Sequence, residues 1–256
     1  MTNVPVPPAY PAGRGLLEGK TVLVTAAAGT GIGFATAKRC VEEGARVAIT
    51  DIHERRLRES ADSIGAHAVL ANVTSQDDVD RCFADVIGEF GHLDVLVNNA
   101  GLGGTARLTD MTDEQWFSVL DVTLNGTMRM TRAALGHMLP RAAGAIVNNA
   151  SVVGWRAQEG QAHYAAAKAG VMALTRCAAI EAGSAGVRVN AVAPSLAMHP
   201  HLAKVTTDEL LAELTTREAF GRAAEPWEVA NVIVFLASDL SSYMTGEILS
   251  VSSQHP

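Results

Sequence analysis

The sequence predicts an α/β fold, a doubly wound seven-stranded parallel sheet with helices on both faces. Three observations carry this. Short runs of strand formers alternate along the chain with longer segments of helical spacing. The runs are continuously apolar rather than alternating, as strands buried on both faces are. No linker, repeat or internal low-complexity tract divides the 256 residues, so one domain is expected.

Each element follows from its own stretch. TVLVTA (21–26) is the first strand, and residues 29–43 read as a loop entering a helix. RVAIT (46–50) is the second strand, and residues 54–64 form a charged helix. HAVLA (67–71) is the third. Between Ser75 and Phe90, the residues Val79, Phe83, Val86, Ile87 and Phe90 share one helical face. DVLVN (94–98) is the fourth strand. Thr112 and Gln115 have capping-box spacing and open a helix to about Met138. AIVNN (145–149) is the fifth strand, and a helix from about Gly160 to Ala182 follows. VRVNAV (187–192) is the sixth, and residues 201–220 read as one or two short helices. Pro226 suits the first turn of a helix to Ala237. EILSV (247–251) is the last strand. Crossovers between parallel strands should be right-handed.

Apolar residues make up 48% and charged residues 18%, which supports a large core and argues against global disorder. The formal charge of −7, with no sustained basic run, argues against nucleic acid or an anionic membrane as the main partner. Cys40, Cys82 and Cys177 form no C-x-x-C pair and read as buried thiols in a reducing compartment. Residues 1–18 hold prolines and glycines without a signal-peptide core, and no run reaches the length of a membrane span. That extension is expected to lie on the surface or to be disordered. A single domain over 19–256 follows it, and a cytoplasmic location is expected.

The first strand runs into AAAGTGIGFATA, with Gly29, Gly31 and Gly33 where strand turns to helix. Glycine there permits a tight turn and close approach of backbone to a pyrophosphate, which then rests on the helix N-terminus. Asp51 follows Gly31 by twenty positions, at the end of the second strand. A carboxylate there binds the ribose 2′-hydroxyl of NAD and repels the 2′-phosphate of NADP. A helix N-cap is its plain alternative; strand, loop and spacing together favour a Rossmann-type dinucleotide site. Asn98-Asn99-Ala100-Gly101 ends the fourth strand and suits the ligand crevice of an open sheet, although Asn and Gly are also turn formers. Asn72-Val73 ends the third and would edge the adenine pocket.

Tyr164 and Lys168, in GQAHYAAAKAGV, are four residues apart. On a helix they share a face, roughly 6 Å apart along the axis. An ammonium favours the phenolate, so the spacing predicts a tyrosine pKa below its usual value. Such a tyrosine suits general acid–base work. Alone, the pair is a spacing that chance supplies on many helices. Ser151 lies thirteen residues upstream, at a strand end.

Taken together, AAAGTGIG (26–33), Asp51, NVT (72–74), NNAG (98–101), Ser151, Tyr164-x-x-x-Lys168 and RVNAVAP (188–194) resemble the short-chain dehydrogenase/reductase superfamily over about residues 19 to 251. SVVG (151–154) and GQAHYAAAKAG (160–170) look most like its 3-oxoacyl-thioester reductases. The resemblance implies NAD as cofactor, bound by Gly29, Gly31, Ile32, Gly33, Asp51, Asn72, Val73, Asn99, Ala100, Gly101, Tyr164 and Lys168. It implies Tyr164 as the acid–base, Lys168 holding the nicotinamide ribose, and Ser151 on the substrate oxygen. It also implies a homotetramer that pairs the 112–138 and 164–182 helices and buries the last strand.

The chain departs from that pattern at four places. Ala26 or Ala27 stands for the first loop glycine, and the loop is one residue longer. Thr123 takes the place of a catalytic asparagine; Asn125, about 200° further round the helix, does not substitute. Pro194-Ser195 replaces P-G, with His199 for a nicotinamide-contacting threonine. The end reads VSSQHP. His199 and His201 lack a third ligand, so no metal is expected.

Residues 102–110, 155–163 and 195–222 should shape the substrate pocket, the last as a lid. Leu196, Met198, Leu202, Leu210, Leu211, Phe220 and Trp155 suggest an apolar or bulky alcohol or ketone, or simply a lid core. Arg156, Lys204, Arg217 and Arg222 would suit a phosphorylated carrier such as CoA, or be solvated surface charge. An acyl thioester, a steroid-like or cyclic alcohol and a small aliphatic alcohol all stay open. A different class, a dinucleotide-binding protein with little turnover, is motivated by the altered loop and Thr123; the Ser151, Tyr164 and Lys168 set argues against it.

Overall fold

Seven strands, β1 (Thr21–Thr25), β2 (Arg46–Asp51), β3 (His67–Leu70), β4 (Val95–Asn98), β5 (Gly144–Asn149), β6 (Val187–Pro194) and β7 (Ile248–Val251), pair in parallel in the order β3-β2-β1-β4-β5-β6-β7. The computed structural model describes residues 5–198 and 208–254. Helices α1 (Ile32–Glu42), α2 (Glu54–Ile64), α3 (Gln76–Phe90), α4 (Asp113–Leu120), α5 (Gly126–Met138), α6 (Ala162–Gly183), α7 (Asp208–Thr216) and α8 (Pro226–Ala237) connect them. The order reverses at β1 and β4, which leaves a crevice at their carboxyl ends where open α/β sheets bind ligands.

The apolar runs are continuous because the sheet divides two cores. Val22, Val24, Val47, Ile49, Val95 and Val97 pack with Ala37 and Cys40 of α1, Leu57 of α2 and Ile233 of α8. Leu23, Ala48, Leu96 and Ile146 point the other way, onto Val79 and Phe83 of α3, Met130 and Ala134 of α5 and Ala178 of α6. Successive strand residues therefore feed opposite cores, and the middle of each central strand is continuously apolar. No described helix is long and apolar enough to cross a membrane.

Residues 5–20 lie along the domain. The Tyr10 hydroxyl donates to Glu42 at 2.6 Å, and the Tyr10 ring meets Trp227 edge-on. The buried Glu43 carboxylate accepts the backbone N–H groups of Arg14 and Leu16 and pairs with Arg39. Leu17 is fully buried. Cys40 and Cys82 are buried as expected, but Cys177 is exposed, because it stands on the outward face of α6. The helix expected from Thr112 to Met138 carries its capping box, but one π-turn, Asp121–Asn125, interrupts it. His199, His201, Leu202 and Lys204 lie outside the described residues.

A polar ladder crosses the interior beneath the crevice. Asn98 Nδ2 donates to Thr131 Oγ1 at 3.0 Å and to Asn148 Oδ1 at 2.9 Å, and Asn148 Nδ2 donates to Thr175 Oγ1 at 2.9 Å. It joins α5, β4, β5 and α6 just before the strand ends that carry Asn99 and Asn149. Asn148→Ala takes one hydrogen bond from each of two buried partners, Asn98 and Thr175, at about 1–2 kcal/mol apiece. Urea titration should show a loss of about 2–4 kcal/mol with little change in slope.

Candidate active site

The glycine loop is built on strain held by its neighbours. Ala26 has φ +51°, in the left-handed region that costs a non-glycine residue about 1–2 kcal/mol. Asn99 holds it there: its Nδ2 donates to Thr25 O at 3.1 Å and to Ala26 O at 3.0 Å. Thr25 Oγ1 in turn accepts the N–H groups of Asn99 and Ala100, both at 2.9 Å. The Asn99 amide thus faces the loop backbone. Gly33 is required at this junction, since a Cβ would stand 2.4 Å from Asn99 Nδ2 and 2.5 Å from Ala26 O.

The extra loop residue is absorbed by Gly29, at φ +124°, whose N–H donates to Ser60 on α2 at 3.1 Å. Ala28 N–H reaches Asp51 Oδ2 at 3.3 Å, and His53 N–H reaches Asp51 Oδ1 at 3.0 Å. Each oxygen keeps a lone pair for an incoming hydroxyl. These residues fit a dinucleotide. No side chain caps α1 at Gly31, and a Cβ at Gly29 or Gly31 would meet open space. Bare N–H groups at a helix N-terminus with room above them form an anion cradle.

At the edge of the crevice the placement of Asn72 and Val73 is divided. Asn72 is exposed, with its Oδ1 accepting Thr74 N–H at 3.0 Å. Val73 turns its side chain into the core, where a Cβ on Gly126 would meet it at 2.6 Å.

Ser151 sits past the end of β5, where its Oγ accepts Val153 N–H at 3.3 Å at the start of a 3₁₀ turn. Tyr164 lies in the first turn of α6, with the Ser151 hydroxyl near enough to its phenol to favour the phenolate. Lys168, one turn on, is 3% exposed, and its Nζ is 5.6 Å from the centre of the Tyr164 ring. Nζ donates to Asn149 O at 2.5 Å. An ammonium has three donors; among the described residues this is its one recorded hydrogen bond.

The electrostatics reverse the expectation from spacing. Burial raises the Tyr164 phenol above its ordinary value, and the nearby Ser151 hydroxyl only partly offsets this. Burial pushes Lys168 down to about 8. Both groups lose solvent at once, and desolvation is the leading cause for each. Tyr164 is therefore a phenol at neutral pH, a proton donor.

Three participants are not legible as motifs: Asn149, through its carbonyl; Thr25; and His163. His163 is buried, and its Nδ1 accepts the N–H of Tyr164 at 2.9 Å. Thr123 Oγ1 accepts Leu102 N–H at 3.0 Å and donates to Leu102 O at 3.3 Å. This one hydroxyl ties the loop after β4 to the π-turn, beside Lys168: a Cβ on Gly101 would stand 3.5 Å from Lys168 Nζ and 3.8 Å from Thr123 Oγ1.

With this geometry in place, the comparisons with known proteins decide the family. A family profile described as enoyl-(acyl carrier protein) reductase matches residues 26–253. The chain belongs to the short-chain dehydrogenase/reductase family. It is 59% identical to a Mycobacterium tuberculosis protein named (5R,7aS)-5-hydroxy-7a-methyl-1-oxo-2,3,5,6,7,7a-hexahydro-1H-indene-carboxyl-CoA reductase, over 99% of this chain and 100% of that one. It is 39% identical to the 3-oxoacyl-(acyl-carrier-protein) reductase of Thermotoga maritima, over 92% of this chain and 97% of that one. A short chain dehydrogenase from Mycobacterium smegmatis superposes with a TM-score of 0.88 at 56% identity, covering 99% and 100%. The protein is thus an oxidoreductase of hydroxyl and keto groups, in a family that uses a nicotinamide dinucleotide.

Thr123→Val removes both bonds to Leu102 and should cost about 1–3 kcal/mol. Melting temperature and kcat should fall together, and Thr123→Ser should keep both near wild type. Lys168→Met should raise the stability of the cofactor-free protein at neutral pH, because it removes a buried cation. The drop from 10.5 to about 8 corresponds to about 3 kcal/mol. Below about pH 8 the lysine is charged folded and unfolded, so the gap is constant. Between about 8 and 10.5 the unfolded state holds more protons, wild-type stability rises with pH, and the gap closes. Paired melts across that range check it.

Proposed function

We propose that this protein is an NAD(H)-dependent reductase of a ketone carried on a ring-bearing acyl-CoA thioester, working reversibly as an alcohol dehydrogenase. The observation that carries the reading is the Ser151–Tyr164–Lys168 set in a desolvated crevice, with Tyr164 held as a phenol. The nicotinamide, when bound, supplies or accepts the hydride.

The protein's own residues do the rest. Ser151 Oγ holds the substrate oxygen next to the phenol, where negative charge develops during reduction. Tyr164 donates its proton to that oxygen, and in the reverse direction its phenolate takes the alcohol proton. Lys168 places a positive charge one helical turn away, which stabilises the phenolate left behind. Its two remaining N–H groups suit ribose hydroxyls. Gly29, Gly31, Ile32 and Gly33 cradle the pyrophosphate, with Asn99, Ala100 and Gly101 shaping the crevice beside it. Asp51 takes the adenosine ribose and excludes a 2′-phosphate.

Support for the substrate comes from two sides. The Mycobacterium tuberculosis relative is named for a fused-ring carboxyl-CoA, and the Thermotoga maritima one for an acyl carrier thioester. In this chain Leu102, Trp155 and Phe220, on the three stretches expected to wall the pocket, are 41%, 49% and 54% exposed. Large apolar side chains left partly bare there suit a bulky apolar ring.

Oxidation of NADH should be followed with a keto-indane carboxyl-CoA and with acetoacetyl-CoA, and repeated with NADPH. The ring thioester should be the better substrate and NADH the better donor. Asp51→Ala should narrow the NADH preference, and Tyr164→Phe should lower kcat at least about 100-fold. Tighter use of NADPH would overturn the role of Asp51. Cofactor binding without turnover, unchanged in Tyr164→Phe, would overturn the enzyme reading.

A further inference from the structure

We propose that Arg156 is an anion anchor at the rim of the substrate site, binding a phosphate of the pantetheine-type carrier that delivers the carbonyl to Tyr164. The proposal rests on the thioester reading above and assigns it a residue. It begins with the cations on the stretches expected to shape the pocket. Arg217 is bound to Glu213 one turn back at 2.5 Å. Arg222 forks onto both oxygens of Glu228 at 2.7 and 2.8 Å, inside the capping box of α8. Both charges are spent on the protein's own carboxylates. Lys204 lies outside the described residues.

Arg156 differs. It is half-buried, and its partner is neutral: Nη1 donates to Gln254 Oε1 at 2.6 Å. Among the described residues no carboxylate lies within ion-pair distance of it. It stands two residues beyond the 3₁₀ turn Val152–Gly154, which starts at Ser151, and next to half-exposed Trp155. A partly desolvated guanidinium without a counter-charge, on the segment that carries a reacting-site residue, is a ready fork for phosphate.

The structure also holds that guanidinium in place. Gln254 Nε2 donates to Glu218 Oε1 at 2.9 Å, so the amide spans cation and anion with the correct polarity at each end. Glu218 is 4% exposed and, among the described residues, has no cationic partner. It further accepts from Ser253 Oγ at 2.7 Å, Ser195 Oγ at 3.1 Å and Leu196 N–H at 3.3 Å. Four donors thereby join the end of β6, the segment after α7 and the C-terminal residues into one fixed block. Gln254 stands between Glu218 and Arg156, so the carboxylate orients the arginine through the amide without direct pairing. Arg156 contacts the ligand; Gln254 and Glu218 are positioning residues.

The test is calorimetric binding of CoA, 4′-phosphopantetheine and pantetheine to the NAD-loaded protein. Arg156→Met should weaken CoA about tenfold, or about 1.4 kcal/mol, and leave pantetheine unchanged. Arg156→Lys should lose less, and it serves if the methionine variant fails to fold. Parallel loss with phosphopantetheine assigns the anchored phosphate to the one beside the pantetheine arm, shared by CoA and carrier proteins. Loss with CoA alone assigns it to the nucleotide. No CoA binding by wild type, unchanged CoA affinity in both variants, or equal loss of pantetheine, which marks a merely structural arginine, would each overturn the proposal. The readout is independent of turnover. CoA binding through Arg156 without thioester reduction sinks the function reading alone; thioester reduction with an indifferent Arg156 sinks this one alone.

Discussion

A buried ammonium resting on one backbone carbonyl is the constraint around which the crevice is arranged. Lys168 Nζ gives a proton to Asn149 O, and that residue's side chain continues the connection: Asn149 Nδ2 donates to Asn99 Oδ1 at 3.0 Å. Asn99 then holds the carbonyls of Thr25 and Ala26. A single path of hydrogen bonds therefore runs from the proposed acid–base centre, across the ends of β5 and β4, to the strained turn of the glycine loop on β1. The path links the proposed proton donor to the proposed cofactor cradle. The polar ladder one residue below, through Asn98 and Asn148, fixes the same strand ends from beneath.

That arrangement is costly, and the cost has a function. Desolvation that lowers Lys168 to about 8 also raises Tyr164. An exposed pair would titrate near ordinary values and be screened by water. A desolvated pair keeps the phenol protonated for donation, and leaves the ammonium strongly coupled to any negative charge that appears on the ring. The Ser151 hydroxyl beside the phenol is the one neighbour that favours its ionised form, which suits the oxygen-binding role proposed for it.

Most of the fold was legible because its signals are local and repeated. Apolar runs, the Thr112–Gln115 capping box and the Pro226 helix start each stand in a short window of sequence. The trio Ser151, Tyr164 and Lys168 was legible from spacing and resemblance. What the sequence concealed depends on contacts between distant residues or on backbone atoms. A carbonyl acceptor such as Asn149 O has no side-chain signature. Nothing around Val73 tells which way its side chain turns; packing against Gly126 settles that. The direction of the tyrosine shift was misjudged because spacing reports a neighbouring charge but not the loss of water around both groups.

Thr123 shows how a departure from the family pattern is accommodated. An asparagine offers separate donor and acceptor atoms. A threonine hydroxyl is one atom that serves as both, and here it accepts from and donates to the two backbone groups of Leu102. To satisfy both, the shorter side chain must lie close to that backbone. It is presented from a π-turn, whose wider winding alters where its residues point relative to an α-helix. Thr127 Oγ1 donates to Thr123 O at 2.7 Å, giving the carbonyl at this turn a side-chain partner. That carbonyl keeps a second lone pair, so the turn beside Lys168 can still take one further donor while Thr123's hydroxyl is held to Leu102.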